Sequence, residues 1–238
     1  MPYYYYYGFD YSYLILIPCL LIATIASIRV NTTFKRYQKQ LSYRHITGAE
    51  AAKRVLAASG VHNVEIQRVS GNLTDHYDPK KKVIRLSEGV YDSTSTAAIG
   101  VACHEAGHAV QYAEQYRPIK LRAAIIPITN IGSRLAFPLI LIGILFASAG
   151  NFSYIFVDLG ILCFSLSLVF QLVTLPVEFN ASKRALNAIS SLNILSEDEK
   201  EGASKTLRAA AMTYVAAVLV AAAQLLRLLL LFGRRRND

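Results

Sequence analysis

The sequence predicts a mainly α-helical membrane protein with about four transmembrane helices and a small polar unit of helices and short strands. Two observations predict this class: 53% of the 238 residues are hydrophobic, and these residues are gathered into four long runs. A bilayer core about 30 Å thick requires about 20 apolar helical residues, and each run comes close to that length. A helix of a soluble domain rarely stays apolar on all its faces over such a length.

The four apolar runs are Tyr13–Arg29, Leu135–Gly150, Phe152–Pro176 and Ala209–Phe232. The first run follows a segment without positive charge, and no clear small-residue cleavage site accompanies it. A cleaved signal peptide has both a basic leading region and such a site. We therefore predict that the first run is a retained membrane anchor.

A polar stretch, roughly residues 31–120, separates the first two runs. Within it, Thr47–Ser59 has the periodicity of a helix, and the following Gly60 ends it. Val64–Val69 and Lys82–Leu86 alternate apolar and polar residues, which predicts two short strands of a small sheet. The segment between these strands, GNLTDHYDPKK, is rich in turn residues.

Two further helices are predicted in polar sequence. Residues from Thr96 to Tyr116 have a helical pattern, and Pro118 ends it. The second polar region, Glu178–Arg208, is also helical in pattern, with a break near Ser196 that predicts the start of a new helix.

The first of these helices contains the motif His104-Glu105-Ala106-Gly107-His108. Residues four apart lie on one helical face, so that both imidazoles can bind a single Zn²⁺ ion. Glu105 lies one step round the helix, where it can take a proton from water and deliver it to a leaving amine. The small Ala106 and Gly107 predict room around the metal. Because the chain has only five histidines, this spacing is improbable by chance.

A catalytic zinc site has three protein ligands and one open position, so a third ligand is required. We favour Glu178, since a carboxylate just past a long apolar run is costly at a membrane boundary unless it has a partner. The alternatives are His76, Glu88 and Asp92, of which His76 would make a site of three histidines.

Five segments of the chain form a distinctive combination: TDHYDP, RLSEGVY, AAIGVACHEAGHAVQ, TLPVEFNASKRA and the late AAAMTYVAA. In this combination, and over nearly its whole length, the chain resembles the YugP-like membrane zinc metallopeptidases. The chain is more distantly similar to the HtpX-like peptidases, in which a glutamate beyond membrane segments completes the zinc site. The resemblance implies a zincin-like helix and β-hairpin unit, one Zn²⁺ held by His104, His108 and Glu178, and Glu105 as the catalytic base.

The resemblance also bears on the residues around the metal. The HtpX-like pattern has an aspartate four residues after the ligand glutamate, where this chain has Ser182. Ser182 and Asn180 are therefore the candidates for orienting the histidines.

The stretch DHYDPKKKVIRLSEGVY looks like the hairpin that precedes the zinc helix, and its outer strand would offer an edge to an extended peptide. Asp75, His76 and Tyr77 would then line the cleft. His76, Tyr77 or Tyr214 would donate a hydrogen bond to the oxyanion.

The net charge of +9 does not indicate nucleic-acid binding, because many of the basic residues lie beside the apolar runs. Positive charge near span ends marks the cytoplasmic side, which predicts an external N-terminus and a cytoplasmic active site. Arg234–Arg236 conflict with this orientation if all four runs cross the membrane. A bacterial cell membrane is the predicted location, and the oligomeric state is left open.

These features predict five segments and one function. Residues 1–30 form a tail and the first transmembrane helix, 31–122 the zincin-like catalytic region, 123–176 two transmembrane helices, 177–208 the helix with the third ligand, and 209–238 an apolar helix with a basic tail. The predicted function is a membrane-anchored zinc endopeptidase that acts on peptides or membrane proteins, with a role in membrane-protein quality control. The alternative is a non-catalytic, zinc-stabilised membrane scaffold or chaperone-like factor.

Overall fold

The computed structural model describes residues 11–146 and 151–233, and the predicted terminal tails lie largely outside these residues. The described chain is mostly helical, with seven α-helices and a three-stranded sheet, which confirms the predicted fold class. The helices are α1 (Leu16–Tyr37), α2 (Gly48–Ala58), α3 (Glu88–Tyr91), α4 (Thr96–Ala113), α5 (Arg117–Leu145), α6 (Asn151–Ser191) and α7 (Glu197–Gly233). The strands are β1 (Glu65–Val69), β2 (His76–Asp78) and β3 (Val83–Ser87).

Four helices are long and apolar enough to cross a membrane: α1, with a preceding 3₁₀ turn, and α5, α6 and α7. All four extend beyond the predicted apolar runs, and α5 and α6 extend the furthest. α5 begins at Arg117, and α6 continues past Pro176 to Ser191. A proline inside a helix removes one backbone hydrogen bond and usually bends or ends the helix. In α6 the helix continues instead, and Glu178 lies in its next turn.

The chain divides into two compact units. The apolar unit consists of the described parts of Met1–Thr24, Pro127–Gln171 and Ala216–Asp238. Its helices α5 and α6 pack closely at glycines: a Cβ atom on Gly143 would lie 2.8 Å from the carbonyl oxygen of Ser153. Small residues at such contacts are typical of helix pairs in membranes.

Many large apolar side chains of the apolar unit face outward. Phe137 is 72% exposed and Leu162 is 62% exposed. Water would disfavour so much apolar surface, whereas lipid chains would cover it. The only charged residue in the apolar run of α7, Arg227, lies over the ring of Tyr13 at 3.8 Å.

The α/β unit, Ile25–Ile126 and Leu172–Val215, contains the sheet and a conventional hydrophobic core. α2 begins after Thr47, whose hydroxyl accepts a hydrogen bond from the Glu50 amide, and it packs its alanine-rich face on α4. Ile84 and Leu86 of β3 are completely buried in the same core. Burial of each such side chain contributes about 1.5–3 kcal/mol.

The sheet has the strand order β1-β3-β2, with β1 parallel and β2 antiparallel to β3. The alternation of apolar and polar residues predicts β1 and β3, but it predicts only turns in the stretch between them. Three of its residues form β2, and β2 with β3 makes the hairpin that the resemblance implied. A three-residue strand is too short to show alternation in sequence, and pairing with Ile84 and its neighbours defines it.

Candidate metal centre

Helix α4 presents the two histidines of the motif on one face. It begins after Ser95, whose hydroxyl accepts a hydrogen bond from the Ala98 amide, and it ends at Ala113. The rings of His104 and His108 lie 4.7 Å apart between centroids and are nearly perpendicular. The helical spacing of four residues is what brings the two rings together.

Helix α6 adds Glu178 to this pair. Its Oε2 atom lies 3.3 Å from Nε2 of His104 and 3.6 Å from Nε2 of His108. One ligand atom from each of the three residues falls within 4.8 Å of the others, so that the group could hold a metal ion. Two imidazole nitrogens and a carboxylate oxygen are ligands that zinc accepts.

A close approach of α4 and α6 makes this convergence possible. A Cβ atom on Gly107 would lie 2.8 Å from the carbonyl oxygen of Ala181, closer than real contacts allow. Glycine is therefore required by the contact between the two helices, and not by room around the metal, as the sequence had suggested. His108 directly follows Gly107 in α4, and Ser182 directly follows Ala181 in α6.

The ring nitrogens that face away from the group have partners of their own. Nδ1 of His108 lies 3.0 Å from Oε1 of Gln111. The amide nitrogen of Gln111 donates to the Val177 carbonyl and to Oδ1 of Asn180, both at 2.9 Å, so the oxygen is the atom that faces the ring. Nδ1 of His108 therefore carries the proton, and Nε2 is left free to act as a ligand.

Ser182 has the corresponding place beside His104, with Oγ 3.1 Å from Nδ1. Asn180 does not contact a histidine directly: it accepts from Gln111, and also from Nε of Arg184 at 2.7 Å. Of the two residues suggested by the sequence, one contacts a ring and the other acts through Gln111.

The two oxygens of Glu178 have different surroundings. Oε1 accepts a hydrogen bond from Nη1 of Arg122 at 3.0 Å. Oε2 is buried, and within the described residues no donor reaches it with hydrogen-bond geometry. A buried carboxylate oxygen without a partner is costly, and a bound cation would remove the cost. The residues present therefore fit a zinc ion at this position.

Glu105 is only 8% exposed and lines two cavities that meet at this group. The larger cavity has a volume of about 320 Å³ and the smaller one about 150 Å³. Five residues line both of them: Asp75, His104, Glu105, Glu178 and Tyr214. We call the two cavities the aromatic lobe and the apolar lobe. A substrate could therefore reach the histidines from either cavity.

The four residues predicted to bind substrate also lie at these lobes. Tyr214 lines both, and His76 and Tyr77 line the aromatic lobe. Asp75 accepts hydrogen bonds from the amide and the hydroxyl of Ser87 at 2.7 and 3.0 Å, which ties the start of β2 to the end of β3. Burial, aided by the nearby charge of Glu105, raises the pKa of Asp75, while the Ser87 hydrogen bonds oppose the increase.

The remaining candidates for the third ligand lie elsewhere. Glu88 and Asp92 are exposed and form ion pairs with Arg68. His76 directs Nδ1 to the Thr74 carbonyl at 2.8 Å, and its other nitrogen lies near a guanidinium. None of the three belongs to the group that could hold a metal.

Three residues of the site were not singled out from the sequence. Gln111 lies three residues after His108, a spacing that places it on the same helical face and was available as a signal. Arg122 is one of the basic residues that lie beside the apolar runs. Tyr112 lies 5.7 Å from Tyr77 between ring centroids, and it lines the aromatic lobe. No pattern marks Arg122 or Tyr112, because their partners are distant in sequence.

The geometry of the site agrees with what the chain resembles as a whole. The model of the family described as "putative neutral zinc metallopeptidase" matches residues 12–233, and the chain belongs to this family. It is similar to the "Putative membrane protease YugP" of Bacillus subtilis (strain 168), with 44% identity over 213 residues. These residues are 90% of this chain and 92% of that protein. No solved structure matches the chain significantly.

Ser182 offers a test of how the histidine is oriented. We expect Ser182→Ala to weaken zinc binding by about 10- to 100-fold, because His104 loses the partner that fixes its ring. Ser182→Asp should bind zinc at least as tightly as the unmodified protein, since a carboxylate is a stronger acceptor for Nδ1. Competition with a chromophoric chelator measures both affinities. Equal affinities for all three proteins would show that Ser182 does not orient the ring.

Proposed function

We propose that the protein is a membrane-anchored zinc endopeptidase. The observation that carries this proposal is the buried Oε2 of Glu178, which lies beside two imidazole nitrogens and which, among the residues the structure describes, no donor reaches with hydrogen-bond geometry. Together with the family membership, this arrangement supports His104, His108 and Glu178 as the ligands of a single ion. Zinc with three protein ligands supplies Lewis acidity, which polarises a carbonyl group and makes water acidic near neutral pH.

The chain's own residues supply the proton transfers. Glu105 lies in the lobes next to both histidines, where its carboxylate can accept a proton from the attacking water. The same carboxyl group then delivers the proton to the departing amine, so that its charge is restored at the end of each turnover. A structural metal site needs no such base and usually has four protein ligands, which disfavours the scaffold alternative.

Two tyrosine hydroxyl groups near the histidines support the proposal that a tyrosine donates a hydrogen bond to the oxyanion. Tyr214 lines both lobes beside Glu105, and Tyr77 lines the aromatic lobe. Burial raises the pKa of Tyr77, and its neighbours Tyr112 and Asp78 raise it further, so its hydroxyl remains protonated. A protonated hydroxyl aimed at the reacting carbonyl stabilises negative charge in the transition state.

The substrate proposed for this site is an extended peptide. β2 is an outer strand of the sheet, because β3 pairs with its other edge. Its residues His76 and Tyr77 line the aromatic lobe, so a peptide added to the free edge would pass the histidines. Four apolar helices and the basic residues beside them support a location at the cytoplasmic face of a bacterial cell membrane. Surplus or misfolded membrane proteins are the proposed substrates.

Removal of the metal tests this proposal directly. The protein purified in detergent should contain about one zinc ion per chain and should cleave unfolded casein. A chelator should abolish cleavage, and added zinc should restore it. Cleavage that a chelator does not affect, or a protein that binds no zinc, would contradict the proposal. Zinc binding without cleavage of casein or of a peptide library would favour the scaffold instead.

A further inference from the structure

The two lobes beside the histidines differ in chemistry. The aromatic lobe is bordered by tyrosines and by the guanidinium of Arg122. Apart from the residues around the histidines, the apolar lobe is lined by aliphatic side chains from three parts of the α/β unit. These side chains are Leu73, Val101, Leu207, Ala210 and Ala211. Its volume of about 150 Å³ is enclosed by small and medium-sized residues, so the lobe suits a single aliphatic group.

Two segments of the chain each line the apolar lobe first and the aromatic lobe further along, and they form the two walls of a cleft. On one wall, Leu73 and Asp75 of the segment leading into β2 line the apolar lobe, and Asp75, His76 and Tyr77 line the aromatic lobe. On the other wall, Val101 of α4 lines the apolar lobe and Tyr112 lines the aromatic lobe. A peptide extended along β2 would therefore pass both lobes, and one of its side chains would enter the apolar lobe beside the reacting bond.

Leu73 has two properties that its packing does not explain. Its backbone is in the left-handed region, with φ of +56°, which is an outlier for a bulky residue. Its side chain is 46% exposed, although it is a leucine. Strained backbone at a cleft is characteristic of functional positions. A bound aliphatic group would cover the exposed leucine.

The geometry points to the apolar lobe as the specificity pocket of the enzyme, which takes one small or medium-sized aliphatic side chain directly adjacent to the scissile bond. This inference rests on the proposed peptidase function and adds the class of residue that the substrate presents. Leu73 forms the exposed wall of the pocket, and Ala210 and Ala211 limit its depth.

Mapping of cleaved bonds tests the pocket. Zinc-loaded protein in detergent would digest unfolded casein, and mass spectrometry of the products would identify the residues that flank each cleaved bond. We expect alanine, valine, leucine and isoleucine to predominate at one flanking position, with such bonds cleaved about 10-fold faster than bonds that have a charged residue there. Ala210→Leu narrows the lobe and should shift this preference to glycine and alanine.

Two further variants distinguish a change in cleavage preference from a general loss of folding. Leu73→Asn removes the apolar wall and suits the left-handed backbone better, so the aliphatic preference should fall about 10-fold while thermal stability is kept or increased. Ala209→Leu is the matched control, because Ala209 is the neighbouring residue of α7 and lines neither lobe. The control should cleave the same bonds as the unmodified protein. Zinc content is measured for every variant.

The possible results distinguish the two proposals. Zinc-dependent cleavage without aliphatic preference, or an unchanged set of cleaved bonds in Ala210→Leu and Leu73→Asn, would overturn the pocket and leave the peptidase function standing. Absence of cleavage by the zinc-loaded, unmodified protein would overturn both. A preference that changes in the two pocket variants and not in Ala209→Leu is the result we expect.

Discussion

Glu105→Gln is expected to abolish peptide-bond hydrolysis while zinc remains bound. Glutamine has nearly the same size and shape as glutamate, but its amide cannot accept a proton from water or deliver one to the leaving amine. General acid–base catalysis contributes about 10²- to 10⁴-fold, so the rate should fall by at least that factor. The proposed ligands His104, His108 and Glu178 are unchanged, so the zinc content should stay at about one ion per chain.

A comparison with another glutamate controls this experiment. Glu201 lies in α7, is exposed, and forms an ion pair with Lys205. Glu201→Gln removes the same charge away from the lobes and should leave both cleavage and zinc content unchanged. Casein cleavage and bound zinc are measured on the same preparations. Hydrolysis by Glu105→Gln at the unmodified rate would exclude Glu105 as the base and would require a different proton acceptor in the lobes.

Glu178→Gln is expected to lose zinc, whereas Glu105→Gln keeps it. Hydrolysis should then be lost because the metal is absent. The neutral amide oxygen is a weaker ligand than the carboxylate, and Arg122 loses the charge that it pairs with. Since loss of a residue that merely orients a ligand costs 10- to 100-fold in metal affinity, loss of the ligand charge should cost at least about 100-fold. Chelator competition measures the affinity.

Glu199 is the control for Glu178, because both side chains are almost completely buried, each with 2% of the residue exposed. The carboxylate of Glu199 accepts hydrogen bonds from the amides of Tyr43 and Ser196, at 2.6 and 2.8 Å. Glu199→Gln should therefore lower the free energy of unfolding by about 1.5–3 kcal/mol for each weakened charged hydrogen bond, without loss of zinc. If both variants kept zinc equally well, Glu178 would not be the third ligand.

Much of the fold could be predicted because apolar runs and capping residues are local signals. The break near Ser196 and the helix of residues 47–59 are both present in the structure, with ends within a residue or two of those predicted. Strand β2 and the continuation of α6 past Pro176 were not predicted from pattern. β2 depends on its pairing with β3. α6 continues through Pro176, although a proline usually ends a helix.

The features of the site also divide into those that local sequence predicts and those that depend on tertiary contacts. The pairing of His104 with His108 follows from the helical repeat, and Glu105 follows from its place between them. The contacts that Arg122 and the amide nitrogen of Gln111 make with α6 could not be read from the sequence alone, because their partners lie on another helix. The contact of Ser182 with His104 was expected only from the family resemblance, and that of Gln111 with His108 follows the three-residue spacing. Gly107 shows the limit most directly: its small size suggested room for a metal, but its role is to allow the contact with Ala181.

Two features of this protein follow from single segments of its sequence: the length of the apolar runs indicates a helical membrane protein, and a spacing of four residues puts two histidines on one helical face. Three other features depend on the tertiary structure: Glu178 reaches the two histidines, Arg122 donates a hydrogen bond to one of its oxygens, and an apolar lobe adjoins them. The first two of these features require residues at least 56 positions apart to meet, and the lobe combines residues from Leu73 to Tyr214. Helix packing determines these long-range contacts, and no local sequence pattern predicts them.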